Sequence, residues 1–138
     1  MNGLEYIIAE LKRGINATDF AAVCEAAVAK IKELPAPQGT ITPLLNFMAE
    51  HPNLRYGMPG AFVQFIESFA EAEYAAPLIK SIERQPTEHN TWMLLRVMNT
   101  WRSPRQDEYI AVMKAAAVNP KTPANLKQTI TEDLADFE

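Results

Sequence analysis

The sequence has little cysteine, little glycine and no excess of basic residues, and each shortage excludes a class of protein. Its single cysteine supports no internal disulfide, which fits a reducing compartment. Its five glycines form no phosphate-binding loop, since the pair at 57 and 60 lacks the Lys-Ser/Thr of such a loop. With 17 acidic and 13 basic residues, the chain lacks the basic face that nucleic-acid binding usually requires, so we expect no nucleic-acid partner.

Long uncharged segments and a leader-like start are also missing. No uncharged run approaches the roughly eighteen residues that a membrane-spanning helix needs. The first apolar segment contains Glu5 and Glu10, and it lacks the basic start and small-residue cleavage site of a signal peptide. We therefore expect a cytoplasmic protein that does not associate with a membrane.

The size and composition suit one compact domain over residues 1–138. The chain is 48% hydrophobic and is long enough to bury a core without disulfide or metal support. Cys24 stands at helical spacing among Phe20, Ala27 and Ile31, so we predict a buried and inert thiol. A reactive thiol would need an activating base or a helix N-terminus, and neither is evident in the sequence.

A repeat of 34 residues organises the middle of the chain. Pro52, Pro86 and Pro120 are spaced by 34 residues. In this register three apolar sets superpose, each with the i, i+3, i+4, i+7 spacing of one helix face. The sets are Ile41, Leu44, Leu45 and Met48; Ala75, Leu78, Ile79 and Ile82; and Tyr109, Val112, Met113 and Ala116. A second pair of sets, offset by 32 residues, is Phe62, Phe65, Ile66 and Phe69 with Leu94, Val97, Met98 and Trp101.

These periodicities predict an all-α fold of about eight helices. The predicted ranges are 3–14, 18–33, 40–51, 58–70, 73–85, 88–102, 104–117 and 122–137. We expect four antiparallel hairpins stacked in a HEAT-like α-solenoid or an irregular bundle, because one hairpin cannot cover its own apolar face. Four threonines stand where an N-cap hydroxyl is needed, namely Thr18, Thr40, Thr87 and Thr122.

No arrangement typical of catalysis or of metal binding is present. His51 and His89 lie in different repeat units, and neither is four residues from another metal ligand. The acidic pairs are adjacent in sequence, and adjacent residues on a helix point about 100° apart, so they form no carboxylate dyad. We therefore predict no catalytic residue, no metal and no cofactor. An enzyme would require a concave, partly buried stripe formed by Gln64, Glu67, His89 and Arg96.

The helix predicted at 88–102 carries an aromatic residue on its polar side. Its apolar stripe includes Leu94, Met98 and Trp101, and we expect these residues in the core. Trp92 and Arg96 project from the opposite side, as do His89 and Asn99. Trp, Tyr and Arg are the residues most enriched at interaction hot spots, so this face predicts a protein-binding surface. The alternative is that Trp92 packs under an adjoining helix and that Arg96 pairs with Glu67.

The loop at 51–60 is predicted to extend the same surface. Its two additional residues, relative to the equivalent loop of the next repeat, would push Arg55 and Tyr56 outward. Neighbouring repeats would then set four polar residues side by side beneath this loop: Gln64, Glu67, Arg96 and Asn99. We expect Arg55, Tyr56, Trp92 and Arg96 to be the anchors of partner binding.

The C-terminal segment concentrates acidic residues in the order Glu132, Asp133, Asp136 and Glu138. These side chains lie at the wrong end of a helix to interact favourably with its dipole. They form either a negative patch for a partner or a solubilising face. We include Asp133 and Asp136, with Glu67, as the charged partner-binding residues.

Several short motifs resemble one class of bacterial protein. They are His51-Pro52; Gly57-Met58-Pro59-Gly60 before Phe65 and Glu67; and Pro86-Thr87 before Asn90-Thr91-Trp92-Met93-Leu94. In these motifs the chain resembles the small all-helical immunity proteins encoded beside bacterial polymorphic toxins, including those of contact-dependent growth inhibition systems. The resemblance implies an all-helical fold and a cytoplasmic protein that binds one cognate toxin. That family has no fixed set of contact residues, so the resemblance assigns none here.

Two functions follow as hypotheses. The first is a non-catalytic immunity protein that binds and neutralises a toxin domain, such as a basic nuclease, through an acidic and aromatic surface. The second is a general adaptor or scaffold of the helical-repeat type, which docks peptide segments in its groove. A single fixed partner would indicate the first, and several weak partners would indicate the second. The sequence leaves the oligomeric state open.

Overall fold

The computed structural model describes residues 3–57, 59–100 and 104–137, and every regular element within those ranges is helical. The predicted all-α class is therefore confirmed, with eight α-helices and two short 3-10 segments in the described residues. The α-helices are α1 Gly3–Arg13, α2 Phe20–Ile31, α3 Ile41–Glu50, α4 Ala61–Glu67, α5 Glu71–Arg84, α6 Glu88–Thr100, α7 Gln106–Val118 and α8 Ala124–Leu134. The 3-10 segments are Pro37–Thr40 and Ala135–Phe137.

The helices group into two compact units. The first unit comprises Met1–Leu44 and Asn53–Tyr74, and the second comprises Leu45–Pro52 and Ala75–Glu138. In the first unit α2 packs against both α1 and α4. In the second unit α6, α7 and α8 pack against one another. Neighbouring helices thus cover each other's apolar faces, as in a helical bundle or solenoid. The single domain over residues 1–138 stays a prediction.

The core of the first unit comes from one face of each helix. In α1 the buried residues are Ile7 and Leu11, which are spaced by one helical turn. α2 and α4 contribute larger sets: Phe20, Cys24, Ala27, Val28 and Ile31 from α2, and Phe62, Val63, Phe65 and Ile66 from α4. Cys24 therefore lies on the inward face that its spacing predicted, and its side chain is fully buried.

The repeat sets are buried as the 34-residue period predicted. Every member of the three superposed sets is buried apart from Val112, which is half-buried. In the second helix of each repeat, Phe62, Phe65 and Ile66 match Leu94, Val97 and Met98, and all six are buried. Phe69 is half-buried. Trp101, which was predicted in the core, lies outside the described residues.

A capping box begins α6 inside the second unit. Asn90 donates its backbone N–H to Thr87 Oγ1 at 3.1 Å, and Thr87 donates its own N–H to Asn90 Oδ1 at 2.8 Å. The Asn90 side-chain amide also donates to Ser81 Oγ at 3.1 Å and to the Gln85 carbonyl at 2.9 Å. Both Thr87 and Asn90 are buried, so these hydrogen bonds satisfy groups that water does not reach.

Side chains at the helix ends connect successive repeats of the second unit. The Gln85 side-chain amide donates to the Lys121 carbonyl at 3.1 Å, and Lys121 Nζ donates to the Arg84 carbonyl at 3.3 Å. In the preceding repeat, Arg84 Nη2 donates to Asn46 Oδ1 at 2.7 Å. These hydrogen bonds connect one repeat to the next, so they help to fix the register in which the helices stack.

Three of the four predicted N-caps are wrong. The hydroxyl of Thr40 donates to the Pro37 carbonyl, and that of Thr122 donates to the Ala116 carbonyl, both at 2.7 Å. α2 is capped by Asp19 instead of Thr18, because Asp19 Oδ1 accepts from the Ala22 N–H at 3.1 Å. A hydroxyl can donate to a preceding carbonyl as readily as it accepts from a following N–H. Thr87 alone of the four acts as predicted.

α4 is shorter than the predicted range of 58–70. Gly60 precedes it with φ +86, a left-handed conformation that cannot belong to the helix. Ser68 ends it, and the Ser68 hydroxyl donates to the Phe65 carbonyl. Glu73 Oε2 then accepts from the Ala70 N–H at 3.0 Å at the start of α5. Met58, in the predicted range, lies outside the described residues.

Replacing Thr87 with Ala tests the capping box. The variant removes the acceptor of the buried Asn90 N–H, so we expect the free energy of unfolding to fall by about 1–2 kcal/mol. Thr129→Ala is the matched control, because its exposed hydroxyl donates only to the Asn125 carbonyl within α8; we expect a change within about 0.5 kcal/mol. Urea unfolding measures both. Equal losses of unfolding free energy for the two variants would contradict the assignment of Thr87 as the N-cap of α6.

Candidate functional site

The face of α6 opposite the core presents a stacked tryptophan and arginine. The inward face of the helix is buried through residues such as Leu94 and Met98. Trp92 and Arg96 are half-buried one helical turn apart, and Asn99 is exposed. The guanidinium carbon of Arg96 lies 4.9 Å from the centre of the Trp92 ring. This cation–π contact holds both long side chains in one arrangement and contributes about 0.5–1 kcal/mol at a partly exposed site.

His89 adjoins this pair one turn toward the start of α6. Burial lowers the pKa of its imidazole, and the nearby Glu88 carboxylate opposes that effect. Because the ordinary pKa of histidine is already near 6.5, the lowered pKa keeps the ring neutral at neutral pH. Arg96 therefore supplies the positive charge of this face, beside the aromatic surface of Trp92.

The loop before α4 points its two predicted anchors in opposite directions. Arg55 is exposed, as predicted. Tyr56 is only 1% exposed, so its predicted outward position is wrong. Its ring lies 5.6 Å from the ring of Phe20 and 5.7 Å from that of Phe62, between α2 and α4. This burial raises the pKa of the Tyr56 phenol well above its usual value.

Two glycines turn the chain so that Tyr56 faces the core. Gly57 has a φ angle of +105° and Gly60 has a φ angle of +86°. Residues other than glycine rarely adopt these backbone conformations. A Cβ at Gly60 would collide with the carbonyl group of Tyr56. The "YGMPG" segment therefore folds tightly against the backbone of Tyr56, and its added length does not extend Tyr56 into solvent.

Gln64 and Glu67 lie on the outer side of α4. Gln64 is exposed and Glu67 is half-buried. They belong to the first unit, whereas Arg96 and Asn99 belong to the second, so the predicted side-by-side arrangement of these four residues stays a prediction. Gln64 lines an open groove of about 350 Å³ between α2 and α4, which the sequence patterns did not predict.

The C-terminal acidic residues repel one another. Asp133 is half-buried, and Asp136 and Glu132 are exposed. Burial raises the pKa of the Asp133 carboxyl, and the negative charges of Asp136 and Glu132 raise it further. Negative charge is therefore concentrated at the end of α8, and its use by a partner stays a prediction. Glu138 lies outside the described residues.

The described ranges contain no cluster of metal ligands and no accessible cysteine thiol. No group of three or more His, Cys, Asp or Glu residues is placed there to hold a metal ion. The Cys24 side chain is fully buried, and this burial raises the pKa of its thiol to about 12, with a smaller contribution from the Glu25 charge. The thiol is therefore protonated at neutral pH and inaccessible to a substrate.

Comparison with known proteins gives no match to any protein-family model, curated protein or solved structure. None of the helices in the described part of the chain combines the length and the apolar composition needed to cross a membrane.

The opposite exposure of Arg55 and Tyr56 gives a paired test. Tyr56→Ala removes a buried ring from between two aromatic neighbours, so we expect the free energy of unfolding to fall by about 3–5 kcal/mol. Arg55→Ala changes an exposed side chain, and we expect a change within about 0.5 kcal/mol. Chemical denaturation measures both. A Tyr56→Ala variant as stable as Arg55→Ala would show that the ring is not part of the core.

The Cys24 thiol gives a pH-dependent test. At pH 8 roughly one Cys24 thiol in ten thousand is ionised, against about one in ten at the ordinary pKa of 9.0. We expect an aromatic disulfide reagent to label Cys24 only as fast as the protein unfolds. Folding favours the protonated thiol, so the Cys24 contribution to stability is present below pH 9 and is lost as the pH rises toward 12. Rapid labelling of the folded protein at pH 8 would contradict this account.

Proposed function

We propose that this protein is a non-catalytic immunity protein that binds and neutralises one cognate bacterial toxin domain. The observation that best supports this proposed function is the cation–π contact between Trp92 and Arg96 on the outer face of α6. Tryptophan and arginine are the side chains that most often dominate the energy of protein interfaces. The resemblance of the Pro86-Thr87 and Asn90-Thr91-Trp92 motifs to helical immunity proteins supports the same conclusion.

The stack would act as an anchor because its geometry exists before binding. An arginine loses rotamer freedom when a partner immobilises it, and that loss weakens association. The contact with Trp92 already restricts Arg96, so less freedom remains to be lost. A partner that covers the indole of Trp92 would bury apolar surface beside the cation–π contact with Arg96, and this burial would strengthen binding. In this proposal the stack slows dissociation of the complex.

Acidic charge would govern the encounter with the toxin. The chain carries a net charge of −4, and the end of α8 concentrates part of it around Asp133 and Asp136. A basic toxin domain, such as a nuclease, would be attracted over a distance of about one Debye length, and the attraction would weaken with salt. Arg55 stays a proposed contact because it is exposed, whereas the buried Tyr56 is excluded as one.

Neutralisation in this proposal requires no chemistry from the immunity protein. A nuclease binds its substrate through a basic cleft, and an acidic protein seated over that cleft would exclude the nucleic acid by charge and by volume. The proposed contact residues are Arg55, Gln64, Glu67, Trp92, Arg96, Asn99, Asp133 and Asp136. Their chemical mixture, with an aromatic anchor and charges of both signs, suits one specific protein partner better than many peptides.

Co-expression with the toxin encoded immediately upstream tests the proposal. We expect the protein to protect cells from that toxin and not from unrelated toxins. Trp92→Ala and Arg96→Ala should each raise the dissociation constant by roughly 30-fold or more, which corresponds to about 2 kcal/mol. Titration calorimetry with an inactive form of the toxin measures the constants, and growth measures protection.

Two exposed residues supply matched controls for this test. Tyr6 is an aromatic residue that is 61% exposed on α1, and Arg13 is an exposed arginine at the end of the same helix. Tyr6→Ala and Arg13→Ala should bind as the unchanged protein does. If Trp92→Ala and Arg96→Ala bind as tightly as these controls, the α6 face is not the interface. If no neighbouring toxin is neutralised, the proposed class itself is wrong.

A further inference from the structure

Two hydrogen-bond donors lie together on the outer face of α6. Trp92 and Arg96 are half-buried one helical turn apart, and the guanidinium carbon lies 4.9 Å from the centre of the Trp92 ring. The indole N–H of Trp92 forms no hydrogen bond with any of the described residues, and it is not sealed from water. It is therefore available to a partner that covers this face.

Both of these side chains donate hydrogen bonds, and neither accepts one. Tryptophan has a single N–H, and arginine has five N–H groups fixed in one plane. The cation–π contact uses the flat face of the guanidinium, so its N–H groups point outward along its edges. Because there are five of them, Arg96 can keep other contacts and still donate to a partner. The pair therefore requires hydrogen-bond acceptors from the surface that covers it.

The charge of the pair selects an acceptor that is negative. Arg96 is positive, and His89 adds no charge at neutral pH because burial lowers its pKa. The single acid of α6 is the exposed Glu88, which lies eight residues from Arg96, or about 12 Å along the helix axis. Covering Arg96 with a neutral or basic surface would bury a charge without compensation, which weakens binding.

We infer that the Trp92–Arg96 pair binds a carboxylate side chain of its protein partner, with one oxygen on the indole N–H and the other on the guanidinium. The inference rests on the proposed function, because it assigns the chemistry of the same surface. Hydrogen bonds of about 2.9 Å to its two oxygens allow one carboxylate to bridge donors roughly 6 Å apart, which is the spacing of side chains one helical turn apart.

An aspartate or glutamate fits this surface better than other acceptors do. Nucleic-acid phosphates would be repelled by the net charge of −4 on this chain. A backbone carbonyl would accept from the indole but would leave the charge of Arg96 uncompensated. A toxin that is basic overall can still carry one acid at this point, and that acid would fix its orientation on α6.

An NMR titration of the protein alone tests the carboxylate preference. The probes are phenylacetate and its neutral isostere phenylacetamide, compared at constant ionic strength. Phenylacetate should shift the indole N–H of Trp92 and the Nε–H of Arg96 with a dissociation constant at least about fivefold below that of phenylacetamide. Trp92→Phe assigns the indole signal by removing it. The Nε–H of Arg13, an exposed arginine on α1, is the matched control and should not respond.

A charge swap tests the same contact with an inactive form of the toxin encoded immediately upstream. Arg96→Glu should raise the dissociation constant by at least about a hundredfold, because it places two acids together. One change of a toxin Asp or Glu to Lys should restore binding to this variant to within about tenfold of the original. Arg96→Lys keeps the charge but loses the planar donors, so we expect roughly a tenfold loss. Arg13→Glu should bind as the unchanged protein does.

The outcomes separate this inference from the proposed function. Phenylacetamide that binds as well as phenylacetate would overturn the carboxylate assignment. If Trp92→Ala and Arg96→Ala weaken toxin binding but no acid-to-lysine change in the toxin rescues folded Arg96→Glu, the assignment is wrong and the proposed function stands. If phenylacetate is selected but no toxin is neutralised, the assignment is supported and the proposed function is wrong. Circular dichroism shows which variants are folded, and Arg96→Lys binding as tightly as the unchanged protein would also contradict the assignment.

Discussion

Each helix of this protein has one apolar face that it cannot cover by itself, and this constraint determines the rest of the structure. An isolated helix of ten to fourteen residues is only marginally stable in water, so the stability of α1, α2 or α5 comes from burial against a neighbour. The buried faces recur along the chain with the 34-residue period, from Leu45 through Ile79 to Met113. The outward faces are consequently released from packing, and their residues can be chosen for contact with another protein.

Apolar faces alone would permit helices to slide or rotate against each other, because dispersion and burial have little direction. The hydrogen bonds at the helix ends remove that freedom. Asn90 joins Thr87, Ser81 and the Gln85 carbonyl, and Gln85 reaches the carbonyl of Lys121 in the next repeat. Since a buried amide without its partner would cost about 1–3 kcal/mol, other registers are disfavoured. A fixed register is also what holds Trp92 and Arg96 on the face opposite to the core.

The features that were predictable from sequence are those that depend on spacing along one helix. The apolar sets, the buried Cys24 and the shared outer face of Trp92 and Arg96 all follow from the 3.6-residue period. Tyr56 was not predictable in this way, because it lies in a loop whose course depends on the positive φ angles of Gly57 and Gly60.

The groove between α2 and α4 was not predicted for a different reason. Its walls are about forty residues apart in sequence, and only tertiary packing brings Val28 and Phe65 to one groove. The threonine caps failed because a hydroxyl has both donor and acceptor capacity.

The strength of binding that the proposed α6 surface can support depends on the size of its side chains. Trp92 offers a large ring whose burial is worth several times that of an alanine methyl group, and Arg96 adds charge-assisted donors. In the proposed function, a partner that buries this ring would therefore dissociate slowly.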